Sequence, residues 1–256
     1  MSPSPADIAA ELHALYQAGE MFPASLGGSL TVDAAYKAQF ALLECRKDDG
    51  EQLAGWKVGL TSQAMQEQQG IHEPCLGHLL TSCHHDSGVQ LVFDDMVSPG
   101  IENELCVQVG KRLEGKNVSL DEAIASIKAV APALEVIEKR SVFGSDFPLA
   151  VAGNVQQRAY VTGPFVAFSP EIDLSTIKVT VEVNDKFAEE ASGVEVLGNP
   201  ANSLIWLAGI LSDYGLAIEP EMQVMTGSFT KQYAVSKGDR VRSNFTHFGD
   251  VTARFG

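Results

Sequence analysis

Apolar side chains at Ile8, Leu12 and Leu15 recur at helical spacing, with Ser4 placed to cap and Pro5 at the first helical position. Together they predict a helix near the start of the chain. A second helix is predicted from about Thr31, turning Ala35, Phe40 and Leu43 inward and stopping at Asp49-Gly50. Between the two, Phe22 to Ser29 reads as a Pro/Gly/Ser loop. Past Gly50 the period changes. Trp56-Lys57-Val58-Gly59-Leu60 reads as a short strand, and Thr176 to Val183 alternates apolar and polar strictly before a turn at Asn184-Asp185. Ser119-Leu120-Asp121-Glu122 is a capping box that opens a helix to about Val130; Pro132 ends it, and Ala133 to Ile137 follows as a strand. Asn199-Pro200 opens a helix with Leu204, Leu207, Ala208 and Leu211 inward, closed by Gly215. Met222 to Phe229 and Asp239 to Phe255 supply the last strands, and no internal repeat is visible. The pattern predicts an α/β chain: a small helical N-terminal part over 1–70, then a mainly β domain over 71–256 with two or three helices.

A chain of 256 residues allows one large domain, or one with a small appendage. Charge narrows the partners. Eighteen Lys and Arg against thirty-three Asp and Glu leave a net charge of −15, which repels phosphate backbones and anionic lipid and so argues against nucleic acid and membrane surfaces. An anionic small substrate is repelled too, unless a cation or a metal reverses the sign locally. Cys45, Cys75, Cys83 and Cys106 form no CxxC pair or zinc pattern, as in a reduced cytosolic protein. The segment MSPSPADIAA has neither the basic nor the apolar region of a signal peptide, and the apolar run Leu204 to Leu211 is broken by Gly209 and too short to span a bilayer. The expectation is a soluble, cytoplasmic protein.

Three places carry candidate chemistry. In Ile101-Glu102-Asn103-Glu104-Leu105, after the Pro99-Gly100 turn, a strand puts both carboxylates on one face. Adjacent like charges there call for a cation between them, and oxygen-only ligands suit Mg²⁺, Mn²⁺ or Ca²⁺; a solvated strand face is the plain alternative. Glu135 supplies a third carboxylate, inside the apolar run Pro132-Ala133-Leu134-Glu135-Val136-Ile137, where a charge is either at an edge or buried with a partner. Glu138 falls on the opposite face and suits an exposed position. Lys57, between Trp56 and Val58, is either an enclosed acid–base group or a snorkelling strand lysine. His72, His78, His84 and His85 read as solvated loop histidines and are assigned no metal. Gly227-Ser228-Phe229-Thr230 has too few glycines for a phosphate loop and reads as a strand end lining a pocket.

The order of these motifs resembles the fumarylacetoacetate hydrolase superfamily, in its branch of 2-hydroxydienoate (2-keto-4-pentenoate) hydratases and 4-oxalocrotonate decarboxylases. The carriers are Gly55 to Ser62, Ile101 to Glu104, Pro132 to Ile137, Val196-Leu197-Gly198-Asn199-Pro200-Ala201, Trp206-Leu207-Ala208 and Thr226 to Thr230. The resemblance implies a distorted, barrel-like β domain behind the small helical part, in a homo-oligomer. It implies Mg²⁺ or Mn²⁺ on Glu102, Glu104 and Glu135, Lys57 as the catalytic group, and Lys57, Cys75, Asn154, Ser228 and Thr230 around a small 2-oxo or 2-hydroxy acid. Two departures stand out. Where hydratases of the branch carry Asp in a Pro-Asp-aromatic-Gly setting, this chain reads Glu73-Pro74-Cys75-Leu76-Gly77, and where the branch has Ala-Asp-Asn-Ala-Ser it reads Ala152-Gly153-Asn154-Val155-Gln156. The implied activity is a metal-dependent lyase adding water to a conjugated 2-hydroxydienoate or 2-oxoenoate; the alternative is a 4-oxalocrotonate-type decarboxylase, to which the Cys75 departure leans. A carbon–carbon bond hydrolase drawing on His13 and Glu11 ranks third, beside a relative that binds a ligand without turnover.

Overall fold

The computed structural model describes residues 3–28, 30–62, 66–67, 71–141 and 146–256. Ser29, the end of the expected loop, and Gly70, the expected domain boundary, lie outside the described residues. Two helices open the chain, α1 (Pro5–Ala18) and α2 (Val32–Asp48). Ser4 and Asp7 form a capping box on the first, Thr31 caps the second, and Gly19 closes α1 in the left-handed conformation. Next come β1 (Leu53–Gly59), β2 (Cys75–Leu80), β3 (His84–Asp86), β4 (Val89–Leu91) and the long β5 (Pro99–Val109). The short helix α3 (Leu120–Ser126) leads into β6 (Ile127–Glu138), and α4 (Phe147–Ala152) into β7 (Gln157–Thr162) and β8 (Val166–Ala167). The hairpin β9 (Lys178–Val183) and β10 (Lys186–Ser192) turns at Asn184 and Asp185, both at positive φ as a type I′ turn requires. Helix α5 (Ala201–Ser212) buries Leu204, Leu207, Ala208 and Leu211, and β11 (Gln223–Met225), β12 (Tyr233–Ala234), β13 (Arg240–Phe245) and β14 (Gly249–Phe255) finish the chain.

Among the described residues a nine-stranded mixed sheet runs β2-β1-β11-β5-β6-β7-β3, with β12 added on β5 and β8 on β6; a second sheet of five runs β10-β9-β13-β14-β4. The larger sheet curls into a half-barrel, giving the α/β, strand-rich fold with N-terminal helices that the sequence predicts. One hydrophobic core joins Ile8 and Leu12 to Trp56, Leu134 and Phe255. No helix among the described residues is long and apolar enough to cross a membrane.

Three expectations need correction. The helix opened by Ser119 stops at Ser126, because Ile127 to Val130 extend β6 and pair with Val107 to Val109 of β5. Pro132 lies inside that strand, where the neighbour on one side changes from β7 to β8; its missing N–H breaks no ladder bond there, and its carbonyl accepts from Gly163. The strand expected over Met222 to Phe229 is only Gln223–Met225, since the chain breaks from the ladder at Gly227 (φ 111°). Glu138 does face away from Glu135, but β6 is covered on both faces. It is buried between Arg140 and Arg158, with Arg158 Nε 2.7 Å from its carboxylate.

Candidate metal centre

Strands β5 and β6 pair antiparallel with Glu102 directly opposite Glu135 and Glu104 opposite Ala133. The period of two puts Glu102 and Glu104 on one face, and cross-strand pairing brings Glu135 beside them. One carboxylate oxygen from each glutamate lies within 4.8 Å of the other two. Glu104 and Glu135 are buried and Glu102 partly so. Lys57 arrives from β1, three strands from β6 in hydrogen-bonding order. In a flat sheet that separation is about 14 Å, yet Lys57 Nζ lies 3.2 Å from Glu135 Oε1. The curl of the sheet closes the gap. Gly77, opposite Lys57 on β2, keeps the path open, for a Cβ there would stand 3.1 Å from Lys57 Cε.

Burial and mutual repulsion push the three carboxyls up. Glu102 rises to about 7, through burial and then the charge of Glu135, with Lys57 opposing. Glu104 is held well above the usual range by burial, Glu135 and Glu102, and Glu135 is raised by burial against the pull of Lys57. Burial alone would depress the Lys57 ammonium, but Glu135 and its neighbours outweigh it and hold the group above its ordinary pKa. Glu104 Oε2 accepts from the Gly227 N–H at 2.7 Å. Among the described residues neither Glu104 Oε1 nor either oxygen of Glu135 accepts a hydrogen bond, the Lys57 contact being an ion pair. Buried carboxylate oxygens without donors are strongly unfavourable, and a divalent cation among them relieves both desolvation and repulsion. The donors are all carboxylate oxygens, so the site fits a hard ion such as Mg²⁺, Mn²⁺ or Ca²⁺.

A cavity of about 400 Å³ reaches Glu102, lined there by Leu60, Thr61, Ser228 and Thr230. Gly227 lets the chain fold over Glu104, since a Cβ at its φ of 111° would stand 2.4 Å from Thr61. The segment is pinned by Asn103, whose Nδ2 donates to Thr230 Oγ1 at 2.8 Å and whose Oδ1 accepts from Ser243 Oγ at 2.5 Å. Asn103 Nα–H also donates to Ser228 Oγ at 3.2 Å. The sequence assigns Asn103 no role of its own. Its alternation onto the other strand face is visible in the sequence, whereas its partners, more than a hundred residues on, are not.

The structure therefore gathers Glu102, Glu104, Glu135, Lys57 and Cys75, and places Ser228 and Thr230 on the approach. The Cys75 thiol is wholly buried and burial pushes it up to about 12, so it stands beside Lys57 as a neutral group. Asn154, expected against substrate, has its amide engaged by the main chain of His78, accepting from N–H at 2.7 Å and donating to the carbonyl at 3.0 Å. The histidines divide. His72 is exposed, but His78 is buried on β2 and pushed down to about 3 by burial, and His84 stacks on Tyr160. His13 pairs with Asp49 at 2.9 Å and lines a different cavity, of about 690 Å³, whose walls do not include the three glutamates.

The protein is thus a mixed-β chain whose curled sheet buries an oxygen-donor cluster suited to a hard divalent cation. Residues 62–256 match the family model described as Fumarylacetoacetate (FAA) hydrolase C-terminal, and the chain belongs to the fumarylacetoacetate hydrolase family. It is 32% identical over 227 residues to 4-oxalocrotonate decarboxylase of Pseudomonas putida, covering 88% of this chain and 86% of that one. It is 31% identical over 233 residues to 2-oxo-hept-4-ene-1,7-dioate hydratase of Escherichia coli, covering 88% and 87%. The structure of 4-oxalocrotonate decarboxylase from Pseudomonas putida G7, complexed with magnesium and adipate, superposes with a TM-score of 0.93 at 28% identity, over 98% of this chain and 97% of that one.

Proposed function

We propose that this chain is a divalent-metal-dependent lyase that adds water to a 2-hydroxydienoate or 2-oxoenoate, with Glu102, Glu104 and Glu135 as metal ligands and Lys57 as the acid–base group. The observation that carries the reading is the buried ammonium 3.2 Å from a three-carboxylate cluster. Mg²⁺ or Mn²⁺ bound there would supply Lewis-acid stabilisation to negative charge developing on the substrate oxygens. That positive charge also answers the repulsion an acid substrate meets from a chain of net charge −15. Lys57 holds the proton that moves along the conjugated chain. Thr61, Ser228 and Thr230 line the approach; the Thr61 and Ser228 hydroxyls would orient the carboxylate end, while the Thr230 hydroxyl donates to Lys231 O at 3.0 Å. The neutral thiol of Cys75 packs beside the ammonium without adding a competing base.

One observation favours decarboxylation as a second reading. Water addition profits from a base beside Lys57, and Cys75 is uncharged there, whereas loss of CO₂ needs no activated water. The same electron sink serves both reactions, so the metal ligands do not separate them. Offering 2-hydroxypenta-2,4-dienoate and 2-oxohex-3-enedioate to the protein with Mg²⁺ or Mn²⁺ decides: a 4-hydroxy-2-oxo acid marks the hydratase and CO₂ release the decarboxylase. Conversion of neither acid, or unchanged conversion in excess chelator, rejects the lyase reading. The reading extends to a cytoplasmic homo-oligomer acting on a small 2-oxo or 2-hydroxy acid. Four free cysteines support a reducing compartment, and the mass in solution tests the assembly.

A further inference from the structure

Three consecutive residues, none of them glycine, occupy the left-handed region: Asn154, Val155 and Gln156, with φ of 63°, 51° and 61°. Asparagine enters that region singly, but a β-branched valine avoids it, and a run of three is strained. Such strain persists only where the surroundings over-determine it. Here they do. The Asn154 amide clamps both outward main-chain groups of His78 on β2, which is the edge strand of its sheet. Gln156 Nε2 donates to Ser141 O at 3.1 Å, and the Tyr16 hydroxyl donates to Gly153 O at 2.8 Å. The product of the turn is a direction: the Val155 carbonyl accepts from Lys57 Nζ at 3.0 Å.

Sealing a strand edge would explain the Asn154 bonds but not the strained turn. The same edge is sealed at Leu76 without strain, where Gln39 Nε2 donates to its carbonyl at 2.9 Å and its N–H donates to the Tyr36 hydroxyl at 3.4 Å. We infer that Asn154 is a positioning residue, locking a left-handed turn that aims the Val155 carbonyl at Lys57 and so fixes the orientation of the ammonium. The Val155 carbonyl takes one N–H of the ammonium, and Glu135 Oε1, 3.2 Å away, pairs with its charge, so the hydrogen bond to Val155 sets the direction in which Nζ is held. The inference rests on the reading of Lys57 as the acid–base group.

The test is a double-mutant cycle in the metal-loaded enzyme. Asn154→Ala is expected to lower kcat about 10-fold or more, with KM and Mn²⁺ affinity within about 3-fold. In a Lys57→Met background it should lower kcat by less than about 2-fold, because its effect passes through the missing ammonium. Tyr36→Phe, which removes a neighbouring edge bond without touching the turn, should leave kcat within about 2-fold of native. A crystal structure of Asn154→Ala should show Val155 out of the left-handed region and Lys57 Nζ detached from its carbonyl. Should that variant fail to fold, Asn154→Gly tolerates the φ, lacks the clamp and should show the same loss of kcat. Equal losses in both backgrounds, undiminished kcat, or an unchanged turn would overturn the inference. Normal turnover in Lys57→Met alone overturns the reading of Lys57, and the inference falls with it.

Discussion

The substitution Glu104→Gln removes one negative charge from the centre of the cluster and leaves the side-chain volume unchanged. Glu104 lies within 4.8 Å of two other carboxylates, and at an effective dielectric constant near 20 each such pair of unit charges repels by about 3.5 kcal/mol. Lys57, in contact with Glu135, offsets roughly one of the two repulsions. Proton uptake caps what remains, because burial and its neighbours already hold the Glu104 carboxyl well above the usual range. The metal-free variant should therefore be more stable than native by about 1–3 kcal/mol, a rise in Tm of roughly 2–8 °C. The Gly227 N–H keeps an acceptor, since the amide oxygen can take its bond. Metal binding moves the other way: losing one of three charged ligands should weaken it roughly 100-fold or more, beyond the loss typical of outer-shell changes. Thermal unfolding of chelator-treated protein near neutral pH, repeated across a Mn²⁺ titration, reads both effects. A metal-free variant less stable than native by more than about 1 kcal/mol, with a native circular dichroism spectrum, would refute the repulsion argument.

The rise in Tm brought by Mn²⁺ should grow with pH. Glu102 is pushed up to about 7 from 4.5, so its proton adds stability to the metal-free fold that is full below about 4.5 and lost as pH rises through about 7; metal must displace that proton at low pH and not at high pH. A pH-independent gain contradicts this. Lys57→Met should reduce turnover by roughly 10²-fold or more, and because it strips the cluster of a buried cation, the metal-free protein should also lose about 3 kcal/mol; near-normal turnover returns Lys57 to a structural role. Glu138→Gln breaks a buried ion pair with Arg140 and a half-exposed one with Arg158 and should lower stability by about 3 kcal/mol, with kcat per folded molecule unchanged; a loss under about 1 kcal/mol in chemical denaturation contradicts it.

What the sequence disclosed was local. Helix starts at Ser4, Thr31 and Ser119 were readable because a cap bonds to residues two or three positions on, and α5 because its apolar stripe is self-consistent. Glu102 and Glu104 were readable through the period of a strand, and Glu135 through a charge in an apolar run. Long-range pairing decided the rest. Ile127 to Val130 join β6 because β5 is long enough to pair with them, and Glu138 is buried, against what its alternation suggests, because a strand covered on both faces leaves no solvent side. Asn103 and the Val155 carbonyl escaped for different reasons: the partners of Asn103 return from the far end of the chain, and a backbone carbonyl has no signature in residue type. The proximity of Lys57 to Glu135 depends on sheet curl, which no single strand specifies.

Turnover is expected to depend on a divalent ion held by Glu102, Glu104 and Glu135. The most direct measurement is dienoate conversion by chelator-stripped protein as Mn²⁺ is added back, with the bound ion located by anomalous diffraction from the same preparation. No conversion is expected without metal, full conversion at about one ion per chain, the stoichiometry of a single site, and an anomalous peak between the three carboxylates. Full conversion by the stripped protein, or a peak elsewhere with that cluster empty, would contradict it.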